Sequence, residues 1–234
     1  MDGKISLSVI IPVCNDAKAL KQNIPAFIKF MDSIEDLTNY ELLIIDNGSI
    51  DDTKDFSVSL SKSILNIRYL QISERSFGKA IKLGLSEAHC DYVGFMSADI
   101  GFGYEHIEQA ILEIKRGNDI VLGSKLHSKS TYKAPISRKI FSRFCNFLFR
   151  LLFSSNVRDT QGTFFVRRDC VLTYINSLTS TGPWIQAQLV LGAQKRKLKI
   201  SEIPVTYVSG ERKSTFKIVD ALKFISEMIN EYSN

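Results

Sequence analysis

Ser97-Ala98-Asp99 follows directly on the apolar run 92–96. A carboxylate at such a strand end, with a second carboxylate nearby, suits a hard divalent cation held on a diphosphate. The plainer reading is an Asp that caps the next turn. Asp46-Asn47-Gly48-Ser49, followed by Asp51-Asp52-Thr53, also carries two readings: a turn leading into a helix cap, or a loop that contacts a nucleotide. Arg75-Ser76-Phe77-Gly78-Lys79 opens a helix and offers amide donors and a lysine to phosphate, without the spacing of a P-loop. Farther on, Arg138, Ser142 and Asn146 recur every four residues, which makes one polar line on a helix. Asp159-Thr160-Gln161-Gly162 sets a carboxylate among cations, either catalytic or paired with Arg158 or Arg167.

Other chemistries find no support. No G-x-S-x-G occurs, and His89, His106 and His127 lack the neighbours a nucleophile pattern needs. Cys14, Cys90, Cys145 and Cys170 are far apart with no C-x-x-C pair, which argues against a zinc site or disulfide framework and for a reducing compartment. Stacking aromatics alternating with Lys/Arg on strands are missing, so nucleic acid is not the expected partner. No stretch reaches the ~18 apolar residues of a membrane-spanning helix. With 234 residues, 44% hydrophobic and 24% charged, the chain suits one large α/β domain.

Charge is divided unevenly. Residues 1–124 hold 12 Lys/Arg against 18 Asp/Glu, and residues 125–234 hold 18 against 7. Between Asp119 and Asp159 there is no acidic residue, while Lys125, Lys129, Lys133, Arg138, Lys139, Arg143, Arg150 and Arg158 fall in that window. Acidic front and basic back imply different partners for the two parts.

The elements that must position these residues alternate. Strand signals lie at 7–13, 40–45, 67–72, 92–96 and 119–122, and helix signals at 17–33, 79–88 and 104–115. That order argues for βαβ units and a parallel sheet whose ligand binds at the carboxyl ends of the strands. After a basic loop at 125–133 come a helix at 136–153, a strand at 163–166, a helix at 184–195, a strand at 199–204 and a helix at 216–232. The helix 136–153 is rich in Phe and Leu and carries Arg138, Lys139, Arg143 and Arg150, as a membrane-surface element does; a core helix with one solvated side is the competing reading. The chain reads as a single domain 1–234, with an acidic half 1–124, a basic part 125–216 and a C-terminal helix 217–234.

The ordered set from Ser8 to Asp16, Ile45 to Thr53, Gly78-Lys79-Ala80, Ser97-Ala98-Asp99 and Gly123-Ser124-Lys125 resembles glycosyltransferase family 2. Arg138-x-x-x-Ser142-x-x-x-Asn146, Asp159-Thr160-Gln161 and Glu202-Ile203-Pro204-Val205 resemble its branch of dolichyl-phosphate mannose and glucose synthases. The resemblance implies a GT-A type α/β fold with a mostly parallel central sheet. It implies transfer of a hexose from a nucleotide sugar, GDP-mannose or UDP-glucose in type, to a polyprenyl or dolichyl phosphate. By position, Pro12, Asn15, Asp16 and Asp46 would hold base and ribose, Lys79 would lie near the nucleotide beside Ser97, and Asp99 would bind Mg2+ or Mn2+. Lys125, Arg138 and Ser142 would grip the acceptor phosphate, with Asn146, Asp159 and Gln161 nearby, and Arg212 and Ser214 would belong to a loop over the site. The expected setting is peripheral, on the cytoplasmic face of a membrane, docked by helix 136–153.

This sequence departs from the pattern at Ser97 (for Asp), Gly101 (for Gln), Asn47 (for Asp), Lys125 (for Arg) and Gln188 (for Glu). The metal side therefore has three readings: a cation held by Asp99 and the diphosphate alone, metal-independent catalysis helped by lysines, or loss of activity. A family 2 transferase acting on a glycan or polysaccharide is the alternative acceptor class.

Overall fold

Leu7, Val9, Ile11 and Val13 pack on one face of a strand while Ile10 packs on the other, so both faces of the sheet that holds it must be covered. In a computed structural model, which describes residues 3–208 and 218–233, that strand is β1 (Ile5–Val13), an interior strand of the sheet. It continues through α1 (Ala17–Asp32), β2 (Leu37–Asn47), α2 (Thr53–Ser63), β3 (Ile67–Ile72), α3 (Phe77–Glu87), β4 (Tyr92–Phe95), α4 (Glu105–Lys115) and β5 (Ile120–Ser124). Then follow β6 (Thr131–Lys133), α5 (Ile136–Phe153), β7 (Thr163–Arg167), the short α6 (Arg168–Leu172), α7 (Trp184–Lys195), β8 (Ile200–Pro204), β9 (Thr206–Val208) and α8 (Ile218–Ser233).

Seven strands form one sheet in the order β3-β2-β1-β4-β7-β5-β8, and β6 pairs with β9 in a small second sheet. All neighbours in the large sheet are parallel except β7, which runs antiparallel to both β4 and β5. The sheet thus takes strands from the acidic front of the chain and from its basic back. On one face Leu20, Ile24, Phe27 and Met31 of α1 and Ile107, Ala110, Ile111 and Ile114 of α4 form a core. On the other, α3, α5, α7 and α8 close over the sheet around Trp184, Phe149 and Phe224.

The expected strands and helices are present, with differences that have local causes. The stretch 125–133 is not all loop: Thr131–Lys133 forms β6, because β9 supplies its partner from the far end of the chain. Helix α2 begins at the cap that Asp51-Asp52-Thr53 suggested, but its span is not legible, because its Ser-rich sequence buries Thr53 and Ser57 and gives little apolar periodicity. Residues 1–2, 209–217 and 234 lie outside the described residues, and Arg212 and Ser214 are among them.

Two features mark the carboxyl end of β1 as the place for a ligand. The chain order reverses between β1 and β4, the point at which such sheets bind ligands. Pairing of β1 with β4 ends at Ile10↔Phe95, whereas β1 stays paired with β2 as far as Asp46. Pro12, with no N–H to donate, sits in the stretch of β1 that β4 no longer flanks.

Candidate functional site

Loops at the carboxyl ends of β1 and β2 are stitched together. Asn15 takes a left-handed backbone (φ 55°), which Asn tolerates. Its N–H donates to Ser49 Oγ (3.0 Å) and its Oδ1 accepts from Ile50 N (2.8 Å). Asp16 N donates to Thr53 Oγ1, and Asp16 Oδ2 accepts from Cys14 N, both at 2.8 Å. Asp46 is fully buried. Its carboxylate accepts from Ser49 N (2.8 Å) and from the Tyr69 phenol (3.0 Å), so it shapes the turn that Gly48, at φ 77°, completes. Burial, with Asp46 beside it, pushes the Tyr69 phenol well above its ordinary pKa.

The helix start at Arg75–Lys79 is not a phosphate cradle. Gly78 N donates to Thr181 O (3.0 Å) and Lys79 N to Ser76 Oγ (3.2 Å), so these first-turn amides already have partners. Gly78 is required by close approach, since a Cβ there would collide with the Ser180 carbonyl. Lys79 forms an ion pair with Glu74 on the surface.

At the end of β4, Asp99 is exposed, and its Oδ1 accepts from Ser97 Oγ (2.6 Å) and Gly101 N (3.3 Å). Among the described residues no three His, Cys, Asp or Glu side chains cluster as a metal site. One carboxylate with a neighbouring hydroxyl still fits a Mg2+-type ion, which is commonly held by one or two carboxylates plus substrate phosphates and water. Asp99 is the residue that would hold it.

Beside this loop lies a cationic corner. Lys125 is almost wholly buried and paired with Asp159, Nζ to Oδ2 at 2.9 Å. Its backbone N–H donates to the same oxygen (2.8 Å), and its ammonium also donates to Gln161 O. Asp159 is therefore partnered by Lys125, not by Arg158 or Arg167: Arg158 N turns to Glu202 (3.1 Å), and Arg167 pairs with Asp119 and Asp169. Asn146 is buried and leaves the solvent side of the helix. Its Nδ2 donates to Ser142 O (3.0 Å) and Asp159 Oδ1 (3.4 Å), and its Oδ1 accepts from Thr160 N (3.0 Å). This ties α5 to the loop 159–161.

Ser142 Oγ is shielded from solvent, on the turn above Arg138 and within reach of the Tyr132 phenol. Three aromatic residues that sequence reasoning missed complete the corner. Lys125 Nζ stands 5.6 Å from the Phe102 ring centre and 6.0 Å from that of Tyr207. Lys139 Nζ stands 5.7 Å from the ring centre of Tyr132. Burial raises the Tyr132 phenol, with the Arg138 guanidinium pulling the other way. Gln188 has a structural role: its Oε1 accepts from Thr179 N and Ser180 N (both 2.9 Å), and its Nε2 donates to Glu231 of α8 (2.9 Å).

The outward side of α5 is apolar. Ile136, Ile140, Phe144, Phe147 and Leu151 are each at least half exposed. At 3.6 residues per turn they fall within about 80° of the helix circumference, with Lys139, Arg143 and Arg150 along one border. Among the described residues no helix is long and apolar enough to cross a membrane.

Residues 8–174 match the sequence profile of glycosyl transferase family 2. A dolichyl-phosphate beta-glucosyltransferase of Trichomonas vaginalis is 27% identical over 96% of this chain and 72% of its own length. The dolichyl-phosphate beta-glucosyltransferase of Saccharomyces cerevisiae is 22% identical, with 97% and 74% covered. Among solved structures, glucosyl-3-phosphoglycerate synthase of Mycobacterium tuberculosis, in complex with Mn2+, UDP and phosphoglyceric acid, superposes with a TM-score of 0.73. That match covers 97% of this chain and 78% of the other at 15% identity. The likeness shows the fold, which is the GT-A type that the sequence implied.

Proposed function

The chain belongs to glycosyl transferase family 2, and from that premise we propose that it moves a hexose from a nucleotide sugar to a polyprenyl or dolichyl phosphate at a membrane surface. The observation that carries this reading is the double character of α5. One side of its first turns brings Arg138 and the Ser142 hydroxyl to the corner that holds Lys125, while the opposite side is an exposed apolar stripe bordered by cations. A lipid phosphate needs both: donors for its headgroup and a surface on which its chain can lie. The relatives named as dolichyl-phosphate glucosyltransferases support the same acceptor class.

The chemistry asked of these residues is modest. A phosphate acceptor is already anionic at neutral pH, so its oxygen can attack the anomeric carbon in line with no strong general base. Positioning and charge stabilisation do the rest. In this reading Lys125, Arg138 and Ser142 orient the acceptor, while the stitched loops at Pro12, Asn15, Asp16 and Asp46 hold the nucleoside, with Lys79 and Ser97 at the margin. Asp99 would hold Mg2+ or Mn2+, and that ion, when bound, helps the nucleoside diphosphate to leave. In this reading the protein is peripheral, docked through α5 on the cytoplasmic face of a membrane.

The test is a radiolabel transfer assay with GDP-mannose and UDP-glucose as donors and polyprenyl phosphate in detergent as acceptor. The wild-type chain is expected to transfer from one of them. Arg138→Ala with Ser142→Ala should lower transfer at least a hundredfold while leaving nucleoside-diphosphate affinity unchanged. Undamaged transfer in that double variant, or transfer only to a sugar acceptor, would give the site to the glycan-acting class. Absence of nucleotide binding, given Ser97 in the metal-side motif, would mark an impaired homologue.

A further inference from the structure

Arg138 forms no ion pair and no hydrogen bond with the described residues; what its guanidinium meets is the ring of Tyr207, with Cζ 5.5 Å from the ring centre. That ring is fixed on several sides. Its residue pairs with Tyr132 across β6 and β9, and the two rings meet edge to face at 5.6 Å. Phe102 leans on it at 4.9 Å, and Lys125 Nζ lies 6.0 Å from its centre. Beyond it, Val208 N donates to Gly101 O (3.0 Å) and so fastens β9 to the loop that carries Asp99. A Cβ at position 101 would stand only 3.3 Å from Tyr207 Cε2. The absence of a side chain at 101 and the presence of this ring are therefore complementary.

We propose that Tyr207 is a positioning residue of the acceptor site, whose ring face holds the Arg138 guanidinium next to Lys125 while leaving its N–H donors free for a phosphate monoester. The inference rests on the acceptor reading above. A carboxylate would also fix an arginine, but it would occupy the donor fork and compete with phosphate for the charge. An aromatic face attracts the cation through the ring quadrupole and takes none of its in-plane hydrogens. Holding the side chain in place beforehand lowers the ordering cost of binding the acceptor. The phenol hydroxyl plays no part in this account, and the ring does.

Three variants separate this role from simple packing. Tyr207→Phe keeps the ring and is expected to stay within twofold of wild type. Tyr207→Leu keeps bulk without a quadrupole and is expected to raise KM for polyprenyl phosphate about tenfold, with KM for the nucleotide sugar unchanged. In an Arg138→Ala background, Tyr207→Leu should add little, because the ring acts through that arginine. Calorimetric binding of a short-chain prenyl monophosphate should show the same order without turnover, and retained nucleoside-diphosphate affinity shows that the leucine variant is folded; Tyr207→Met replaces it if it is not. Equal behaviour of the Phe and Leu variants, or an undiminished Leu effect in the Arg138→Ala background, would overturn the positioning role and leave the acceptor reading standing. A wild-type chain that neither binds the prenyl monophosphate nor glycosylates polyprenyl phosphate would overturn both.

Discussion

Burial of His106 sets a pH limit on stability. The residue is 2% exposed and lies against Phe102 and Phe165. Burial pushes its pKa down from 6.5 to about 4, which keeps the ring neutral. The unfolded chain takes up this proton near pH 6.5 and the folded chain only near pH 4, so stability falls as the pH drops through that window. The difference amounts to about 2 kcal/mol between pH 7 and pH 5. Urea unfolding at the two pH values should show it, and His106→Leu should remove most of it; a variant with the wild-type pH dependence would assign the effect to other groups. Lys125 and Asp159 make a second case. Asp159→Ala leaves a buried ammonium without its counter-ion and is expected to lower stability by about 3–5 kcal/mol. Lys125→Met with Asp159→Leu should recover much of that loss in a thermal melt without recovering transfer. Residue types and spacing singled out Asp99, Lys125, Arg138 and Ser142 as candidates. They did not reveal the partner of Asp159 or the place of Tyr207 beside Arg138, because both depend on which distant segments meet.

Helix α5 was readable in full from its sequence because its apolar residues follow a helical period without a Gly or Pro inside it. What the pattern could not decide is which apolar residues face inward, since Phe and Leu occur nearly all round. The structure divides them: Cys145 and Phe149 enter the core, while Phe144 and Phe147 remain half exposed. Phe144→Glu with Phe147→Glu should therefore leave the melting temperature within a few degrees and weaken flotation with anionic vesicles at least tenfold. Preserved flotation would shift the docking surface away from α5. Elements held together by remote partners were less legible. The three-residue β6 exists through its pairing with β9, and the reversed direction of β7 follows from its insertion between β4 and β5. No local propensity encodes either. Strands such as β3, bounded by turns and filled with β-branched and aromatic residues, needed no such partner to be recognised.

Across the whole molecule, charge poses a problem that the fold must solve. On the proposed reading, the half that would receive the nucleotide carries six more acidic than basic residues, and the diphosphate to be bound there is itself anionic. Positive charge must come from elsewhere. One source is the basic half, whose Arg138 lies over the Tyr207 ring that also meets Phe102 of the Asp99 loop. The other is a divalent cation, for which the chain offers Asp99 and the hydroxyl of Ser97. A single exposed carboxylate is a weak site for a free ion in water, and it becomes adequate when the phosphate oxygens of the nucleotide supply further ligands. Metal and nucleotide are therefore expected to bind as a unit. Titration with Mn2+ alone should give no saturable binding below millimolar concentration, whereas Mn2+ added with UDP or GDP should bind at least tenfold more tightly. Chelation should weaken nucleotide binding, and Asp99→Ala should erase the difference between chelated and metal-replete protein. Tight Mn2+ binding in the absence of nucleotide would mean that further ligands assemble around Asp99. Nucleotide affinity indifferent to Mn2+ in the wild-type chain would transfer the charge-neutralising role to Lys125 and its neighbours.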